Sequence, residues 1–178
     1  MNFQTRLAAK ILNLGGVISN PTDTIQGLTC LPSYTHAMQK MGRLKRRPPK
    51  KGFILLASEV RFFQPFVQDI DLLTQISPQE QPTTYLLKAR KGVSTLITGD
   101  FDTVAVRLTD NKLIANLCKK CNSALLSTSA NITGKPTITS VFALNMTFKQ
   151  ELNFIIAPRN YNTQASQIIN LQTGERLR

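Results

Sequence analysis

Residues 43–57 read RLKRRPPKKGFILLA and place a cationic segment directly before an apolar one. Six of the nine residues from Arg43 to Lys51 are Lys or Arg, and none is acidic. Pro48 and Pro49 have no amide hydrogen and hold φ at about −65°, so a helix that enters this segment must end before them. Phe53–Ala57 is continuously apolar, which is typical of a fully buried strand. The pattern predicts a short basic loop held between the end of a helix and a core strand.

A basic loop that is held by folded structure on both sides indicates an anionic ligand. Like charges repel and normally spread over a surface, so their concentration at one fixed place favours a polyphosphate or a nucleic-acid backbone. The alternative is a solvated basic patch or a localisation signal, because basic runs are common and unspecific. The loop alone does not decide between these interpretations.

Composition bounds the class of protein. The chain has 178 residues, of which 42% are hydrophobic, and this predicts one domain over residues 1–178 with a substantial core. Lys and Arg number 22 against 10 acidic residues, and the net charge of +12 favours nucleotides, RNA or an acidic surface as partners. No segment reaches the length of a transmembrane helix, and Arg6 and Lys10 interrupt the apolar N-terminal segment, unlike in a signal peptide. We therefore expect a cytoplasmic protein without membrane association, whose three cysteines are reduced.

Helical and strand-like segments alternate along the chain. Ser33 and Asp110 are the residue types that cap helices, and each precedes a segment with helical apolar spacing. The other predicted helices cover about 5–13, 58–67, 71–76 and 140–149. Predicted strands lie near 17–20, 53–57, 84–89, 104–108, 124–127, 154–157 and 167–171. This alternation predicts an α/β fold with a mixed sheet in a single domain.

Several common catalytic motifs are missing. The sequence contains neither a P-loop nor a G-x-G-x-x-G motif, and His36 is its only histidine. Cys118 and Cys121 form a C-x-x-C motif, but zinc would need two further ligands, and Cys30 and His36 are the only other soft candidates. The motif also falls at the predicted C-terminus of a helix, where the dipole disfavours a thiolate. We interpret these cysteines as core or surface residues and predict no metal site.

Four segments carry polar or charged residues that suit a ligand site. They are PTDTIQGL (21–28), LKRRPPKKGFILLA (44–57), VAVRLTDNKLI (104–114) and LLSTSANITGKP (125–136). Each is weak alone, because Thr, Asp, Ser and Asn side chains in turns often bond their own backbone. Together and in this order, they closely resemble the YrdC/TsaC family of threonylcarbamoyl-AMP synthases over essentially the whole chain. The K-x-R motif of the family matches Lys45 and Arg47, and its S-x-N motif matches Ser129 and Asn131.

The resemblance implies a fold and a reaction. The fold is an open, twisted, mixed sheet of the YrdC type, flanked by helices, with a positively charged concave face. The reaction condenses L-threonine, bicarbonate and ATP, with Mg²⁺, to threonylcarbamoyl-AMP and pyrophosphate. A transferase complex then moves the threonylcarbamoyl group to the adenosine beside the anticodon of certain tRNAs.

The resemblance also implies roles for residues at matching positions. Those that match threonine-binding residues are Thr24, Arg107, Ser129 and Ser166. Those that match ATP-binding residues are Arg47, Lys51, Thr103, Asn131, Thr139 and Arg178. The expected catalytic residues are Lys45, Arg47, Ser129 and Asn131.

The sequence departs from the family at two places. The family usually has Tyr at the positions of Asn20 and Gln26, and this difference predicts a threonine pocket with fewer aromatic walls. The usual W-P-G-P segment is replaced by QEQP at residues 79–82. We expect these differences to alter affinity and turnover more than the type of reaction.

Two other functions remain open. One is a double-stranded RNA or ribosome-associated binding protein, which would use the basic face without catalysis. The other is an enzyme that activates carbamoyl phosphate, although related domains of that kind lie within long chains that contain zinc-finger-like cysteines.

Overall fold

The computed structural model of the protein describes residues 2–159 and 166–177. Within them the strands form one eight-stranded sheet, in the order β7-β1-β2-β6-β3-β5-β4-β8. The strands are β1 (Ile18–Pro21), β2 (Gln26–Cys30), β3 (Ile54–Ala57), β4 (Thr83–Lys88), β5 (Thr103–Leu108), β6 (Leu125–Ser129), β7 (Phe154–Ile155) and β8 (Gln167–Asn170). Three neighbouring pairs, β1–β7, β3–β5 and β4–β8, are parallel, and the others are antiparallel. The predicted α/β fold with a mixed sheet is confirmed.

Five α-helices flank the sheet in the described part of the chain. They are α1 (Phe3–Asn13), α2 (Thr35–Lys45), α3 (Thr95–Thr98), α4 (Lys112–Cys121) and α5 (Val141–Thr147). Two short 3₁₀ helices, Val60–Phe63 and Asp71–Gln75, join β3 to β4. Helices α1 and α4 pack together, and their apolar faces continue the core that the central strands form. Among the described residues, no helix has both the length and the apolar character needed to cross a bilayer.

The basic loop has the setting that its sequence predicts. Helix α2 ends at Lys45, and Arg46 adopts the left-handed conformation with φ at 49°. The amides of Arg46 and Arg47 donate to carbonyls of the last helical turn at 3.0 Å each, so the helix is closed before the prolines. Strand β3 follows, and its Leu55, Leu56 and Ala57 are completely buried between β5 and β6.

Two predicted helix caps are wrong. Helix α2 begins after Tyr34 and not after Ser33, and no side chain caps it. Helix α4 is capped by Asn111 and not by Asp110. The Asn111 Oδ1 accepts hydrogen bonds from the amides of Leu113 and Ile114 at 3.0 and 3.2 Å. Asn is as good a cap as Asp, so residue type alone cannot choose between neighbouring positions.

Strand register places the polar segments on one face of the sheet. Gly27 pairs with Ser129, and Ile54 pairs with Ser127, while Arg107 lies opposite Leu56 on the other side of β3. Directly paired residues point to the same face, and so do residues two apart in one strand. The side chains of β2, β3, β5 and β6 that matter for a site therefore converge on a common surface.

Candidate functional site

A cavity of about 170 Å³ opens on this surface. It brings together five of the residues predicted for the site, which are Thr24, Arg47, Arg107, Ser129 and Ser166. The remaining lining residues are Thr22, Ile25, Gly27, Ile54, Ser127 and Thr128. The basic loop, the PTDT turn, four central strands and the segment before β8 thus meet at one place.

The PTDT turn is held by its own threonine. The Thr22 hydroxyl donates to the Ile25 carbonyl at 2.7 Å and accepts from the amides of Thr24 and Ile25 at 3.2 Å each. The local turn bonding that the sequence suggests is therefore present. The same turn presents Thr24, which is 98% buried, to the cavity.

Arg107 is buried in β5 and forms an ion pair with a residue of this turn. Its Nη2 lies 3.1 Å from Oδ1 of Asp23, and its Nη1 donates to the Thr24 Oγ1 at 3.4 Å. A buried guanidinium needs a partner, because an unpaired charge in the interior is costly. Asp23 therefore belongs to the site, and sequence reasoning gave it no role.

Ser166 reaches the cavity from the opposite edge of the sheet. Its hydroxyl and the hydroxyl of Thr84 lie 2.8 Å apart, and both side chains are buried. Thr84 is part of β4, so this contact joins the segment before β8 to the body of the sheet. The predicted threonine-binding residues Thr24, Arg107, Ser129 and Ser166 consequently line a single cavity.

The K-x-R and S-x-N motifs form one hydrogen-bonded unit. The Lys45 Nζ donates to the backbone oxygen of Ser129, to the backbone oxygen of Asn131 at 2.9 Å and to the Asn131 Oδ1 at 2.8 Å. The Ser129 hydroxyl donates to the same Oδ1 at 2.6 Å. Burial, with a smaller contribution from the charge of Arg47, lowers the pKa of Lys45 to about 7. Lys45 and Asn131 thus stand behind Ser129 and outside the cavity lining.

Arg47 lies between two cavities. Its Nε donates to the backbone oxygens of Lys51 and Gly52 at 3.1 Å each, and its guanidinium carbon lies 5.1 Å from the ring centroid of Phe53. Burial lowers the pKa of this guanidinium from its usual value. Arg47 also lines a second cavity of about 210 Å³, together with Pro48, Lys51 and other residues of α2 and the basic loop. The guanidinium of Arg47, fixed by these contacts, therefore borders both cavities.

The other predicted ATP-binding residues lie around this centre. Lys51 is exposed and lines the second cavity. Thr103 is the first residue of β5 and pairs with Lys88 of β4. Thr139 is exposed and follows Ile138, whose amide donates to the Ala130 carbonyl. Neither Thr103 nor Thr139 lines the first cavity, and Arg178 is outside the described residues.

Asn20 and Gln26 do not form walls of the cavity. Both are completely buried, and the Gln26 Nε2 donates to the Ser19 hydroxyl at 2.9 Å and to the Ile156 carbonyl at 3.0 Å. The Asn20 Nδ2 donates to the Pro21 carbonyl at 3.1 Å. Neither residue lines the cavity, whose described lining contains no aromatic side chain, and the effect of these two positions on threonine affinity stays a prediction.

The C-x-x-C thiols are packed against the protein. Cys118 is completely buried with its Sγ 3.8 Å from the Leu56 carbonyl, and the Sγ of Cys121 lies 3.9 Å from the Ala9 carbonyl. Burial raises the pKa of Cys118 to about 12 and that of Cys121 to about 11. Within residues 2–159 and 166–177, no three His, Cys, Asp or Glu side chains are grouped to hold a metal.

Comparison with known proteins places this chain in a family. The model of the Sua5/YciO/YrdC family, described as "Telomere recombination", matches residues 10–178. Two curated relatives named threonylcarbamoyl-AMP synthase are each 37% identical. The Nitrosococcus oceani protein aligns over 99% of this chain and 98% of its own length, and the Psychromonas ingrahamii protein over 96% and 94%.

Solved structures agree with this assignment. P. abyssi Sua5 complexed with L-threonine is 26% identical with a TM-score of 0.83, over 94% of this chain and 51% of that one. This chain thus spans about half the length of that protein. E. coli YciO, 24% identical over 95% of this chain and 85% of its own, has the same fold with a TM-score of 0.77. The motifs, the sheet topology and the near full-length matches lead to one conclusion, that the chain belongs to the Sua5/YciO/YrdC family.

Proposed function

We propose that the protein is a threonylcarbamoyl-AMP synthase, which converts L-threonine, bicarbonate and ATP to threonylcarbamoyl-AMP and pyrophosphate. The observation that carries the proposal is the convergence of Thr24, Arg107, Ser129 and Ser166 on one small cavity beside Arg47. The names of the curated relatives and the L-threonine complex of P. abyssi Sua5 support it.

The cavity suits a small polar amino acid. Its volume of about 170 Å³ is below the roughly 300–1,000 Å³ of pockets for drug-sized ligands. The Arg107 guanidinium is fixed by Asp23 and can pair with the threonine carboxylate, which is the recognition that a planar guanidinium provides best. The hydroxyls of Thr24, Ser129 and Ser166 are hydrogen-bonding groups for the substrate amine and hydroxyl.

The chemistry requires positioning and charge neutralisation more than a proton shuttle. The threonine amine attacks CO₂, which forms from bicarbonate, and loses a proton to give a carbamate. A carbamate oxygen then attacks the α-phosphorus of ATP, and the bond to the β-phosphate oxygen breaks as pyrophosphate leaves. Such a displacement is accelerated by held cations at the phosphate and by alignment of the reacting atoms. We assign the supply of this charge to Arg47, which lines the first cavity, and the alignment of the reacting groups to Ser129 and Asn131.

ATP is expected to lie over the basic loop and the S-x-N loop. We assign its binding to Arg47, Lys51, Thr103, Asn131, Thr139 and Arg178. Among the described residues, the carboxylate of the turn at the cavity is that of Asp23, and it is already paired with Arg107. We therefore propose that Mg²⁺ enters bound to the phosphates of ATP, which is the usual way in which this ion reaches such sites.

The product is a reactive mixed anhydride, so a second enzyme must use it promptly. We propose that a cytoplasmic transferase complex passes the threonylcarbamoyl group to tRNA. Direct RNA contact is a secondary proposal. It rests on Arg46, Lys50 and Lys51, which are exposed, whereas Lys45 is directed into the protein and Arg47 towards the two cavities. This division of the basic loop favours a catalytic role over binding of RNA alone.

Pyrophosphate release tests the reaction. Purified protein with ATP and Mg²⁺ should release pyrophosphate only when threonine and bicarbonate are both present, because the carbamate nucleophile does not exist without either. An Arg107→Met variant prepared in parallel should lose this release and so exclude a contaminating ATPase. Release that ignores bicarbonate would indicate an ordinary amino-acid adenylating enzyme. No nucleotide chemistry together with tight, salt-sensitive RNA binding would indicate the RNA-binding alternative.

A further inference from the structure

We propose that Lys45 is a positioning residue, whose ammonium group holds the segment Ser129–Thr133 behind the threonine cavity and does not contact ATP. This inference deepens the proposed function, on which it rests for the identity of the ligands. It separates the two cations of the K-x-R motif, since Arg47 faces the cavities and Lys45 faces the protein interior.

The Lys45 ammonium group has as many N–H donors as there are oxygens close to it. A lysine ammonium group has three N–H donors and no acceptor. Three oxygens stand close to the Lys45 Nζ, namely the carbonyl oxygens of Ser129 and Asn131 and the Asn131 Oδ1, while the Ser129 Oγ is more distant at 3.3 Å. Lys45 is also 99% buried. Every donor is therefore used inside the protein, and a phosphate group has no path to the ammonium.

The side chain and the backbone oxygen of Lys45 both bind the segment Ser129–Thr133. The backbone oxygen of Lys45 accepts from the amide of Thr133 at 2.9 Å and from its hydroxyl at 3.0 Å. The five residues from Ser129 to Thr133 are thus tied to the end of α2 at their beginning, middle and end. Sequence reasoning assigned no role to Thr133, because only the folded chain brings it to the end of α2.

Lys45 acts on the cavity through Asn131 and Ser129. The Asn131 Oδ1 accepts from the Lys45 Nζ at 2.8 Å and from the Ser129 hydroxyl at 2.6 Å. The direction of that hydroxyl, which lines the cavity, is therefore set by Asn131, and Asn131 is set by Lys45. A buried cation without a carboxylate partner is unfavourable for stability, and its lowered pKa reflects this cost. The benefit is a fixed geometry at the cavity.

Ligand binding to Lys45→Met tests the proposal without catalysis. Methionine keeps the length of the side chain but has no donors. We expect calorimetry without ATP to show that threonine binds at least about tenfold more weakly, because Ser129 loses its support. The control is Lys50→Met, which removes one exposed charge from the same loop and should leave threonine affinity unchanged. Normal threonine affinity in Lys45→Met, with only ATP binding weakened, would overturn the proposal.

A second measurement uses the intact protein. Reductive methylation followed by peptide mass spectrometry should leave Lys45 unmodified, with or without ATP, while Lys50 reacts in both conditions and Lys51 reacts without ATP. Reaction at Lys45 that ATP prevents would identify it as a phosphate ligand and refute the proposal. This readout requires no enzymatic activity, so it stands even if the proposed reaction fails. Should Lys45→Met not fold, Asn131→Ala keeps the lysine and should show the same loss of threonine affinity; unchanged affinity in that variant would contradict the proposal.

Discussion

At the residue scale, the site depends on how buried charges are satisfied. Arg107 is paired with a carboxylate, Asp23, whereas Lys45 is surrounded by neutral oxygens. The ion pair holds a guanidinium in a fixed direction at the cavity, where it is needed for an anionic substrate group. Burial of the Lys45 ammonium group therefore has a cost that should be measurable in the stability of the protein.

The stability of the protein should therefore depend on pH through Lys45. Burial lowers its pKa in the folded protein from 10.5 to about 7. Between these values the unfolded chain binds a proton that the folded protein lacks, so the contribution of Lys45 to stability rises with pH over this window. The contribution is complete above the unfolded pKa of 10.5 and is lost as pH falls through about 7. Urea denaturation of the wild type and Lys45→Met from pH 6 to pH 10 should show a difference in unfolding free energy that grows in favour of the wild type. Parallel curves for the two proteins would show that the lysine is not perturbed.

At the element scale, the basic loop shows what sequence can and cannot predict. The order of helix, loop and buried strand follows from Pro48, Pro49 and the apolar run after them, and it is confirmed. Which cations turn inward could not be predicted, because Lys45 depends on oxygens of Ser129 and Asn131, more than 80 residues away in sequence. For the same reason the roles of Asp23 and Thr133 were missed, since their partners lie on other elements. The motif residues of the cavity were found because the family resemblance carries tertiary information that periodicity lacks.

Neighbouring arginines of the loop should behave differently on substitution. Arg47→Ala should lower turnover by about 100-fold or more, because it removes a held charge at the phosphates. Arg46 is exposed and has a φ of 49°, so Arg46→Gly should retain activity and raise stability by up to about 1 kcal/mol. Steady-state pyrophosphate release and thermal unfolding measure the two effects. Equal losses of activity in both variants would instead indicate a diffuse electrostatic patch, as in an RNA-binding surface.

At the scale of the whole molecule, the cavity exists only when the sheet is complete. Its lining extends from Thr22 in the first turn to Ser166 before the last described strand. The strand order places β2, β6, β3 and β5 side by side although they are distant in sequence, and this brings the two motif loops and Arg107 together. Substrate selectivity is therefore a property of the assembled lining, in which two apolar side chains, Ile25 and Ile54, stand among hydroxyls and cations.

This mixed lining should favour threonine over both of its near analogues. Serine lacks one methyl group, which in an apolar contact is worth about 1–3 kcal/mol, so its kcat/KM should be about 10- to 200-fold lower. Asn20 and Gln26 do not line the cavity, so the absence of aromatic rings at these positions gives no reason to expect the lower end of this range. Valine has the shape of threonine without the hydroxyl and would leave a buried hydroxyl of the site without its partner, so its rejection should be stronger.

Pyrophosphate release with each amino acid, at fixed ATP and bicarbonate, gives the three values of kcat/KM. If valine and serine had equal kcat/KM, the hydroxyls of Thr24 and Ser129 would not bind the substrate hydroxyl, and selectivity would come from the shape of the cavity alone.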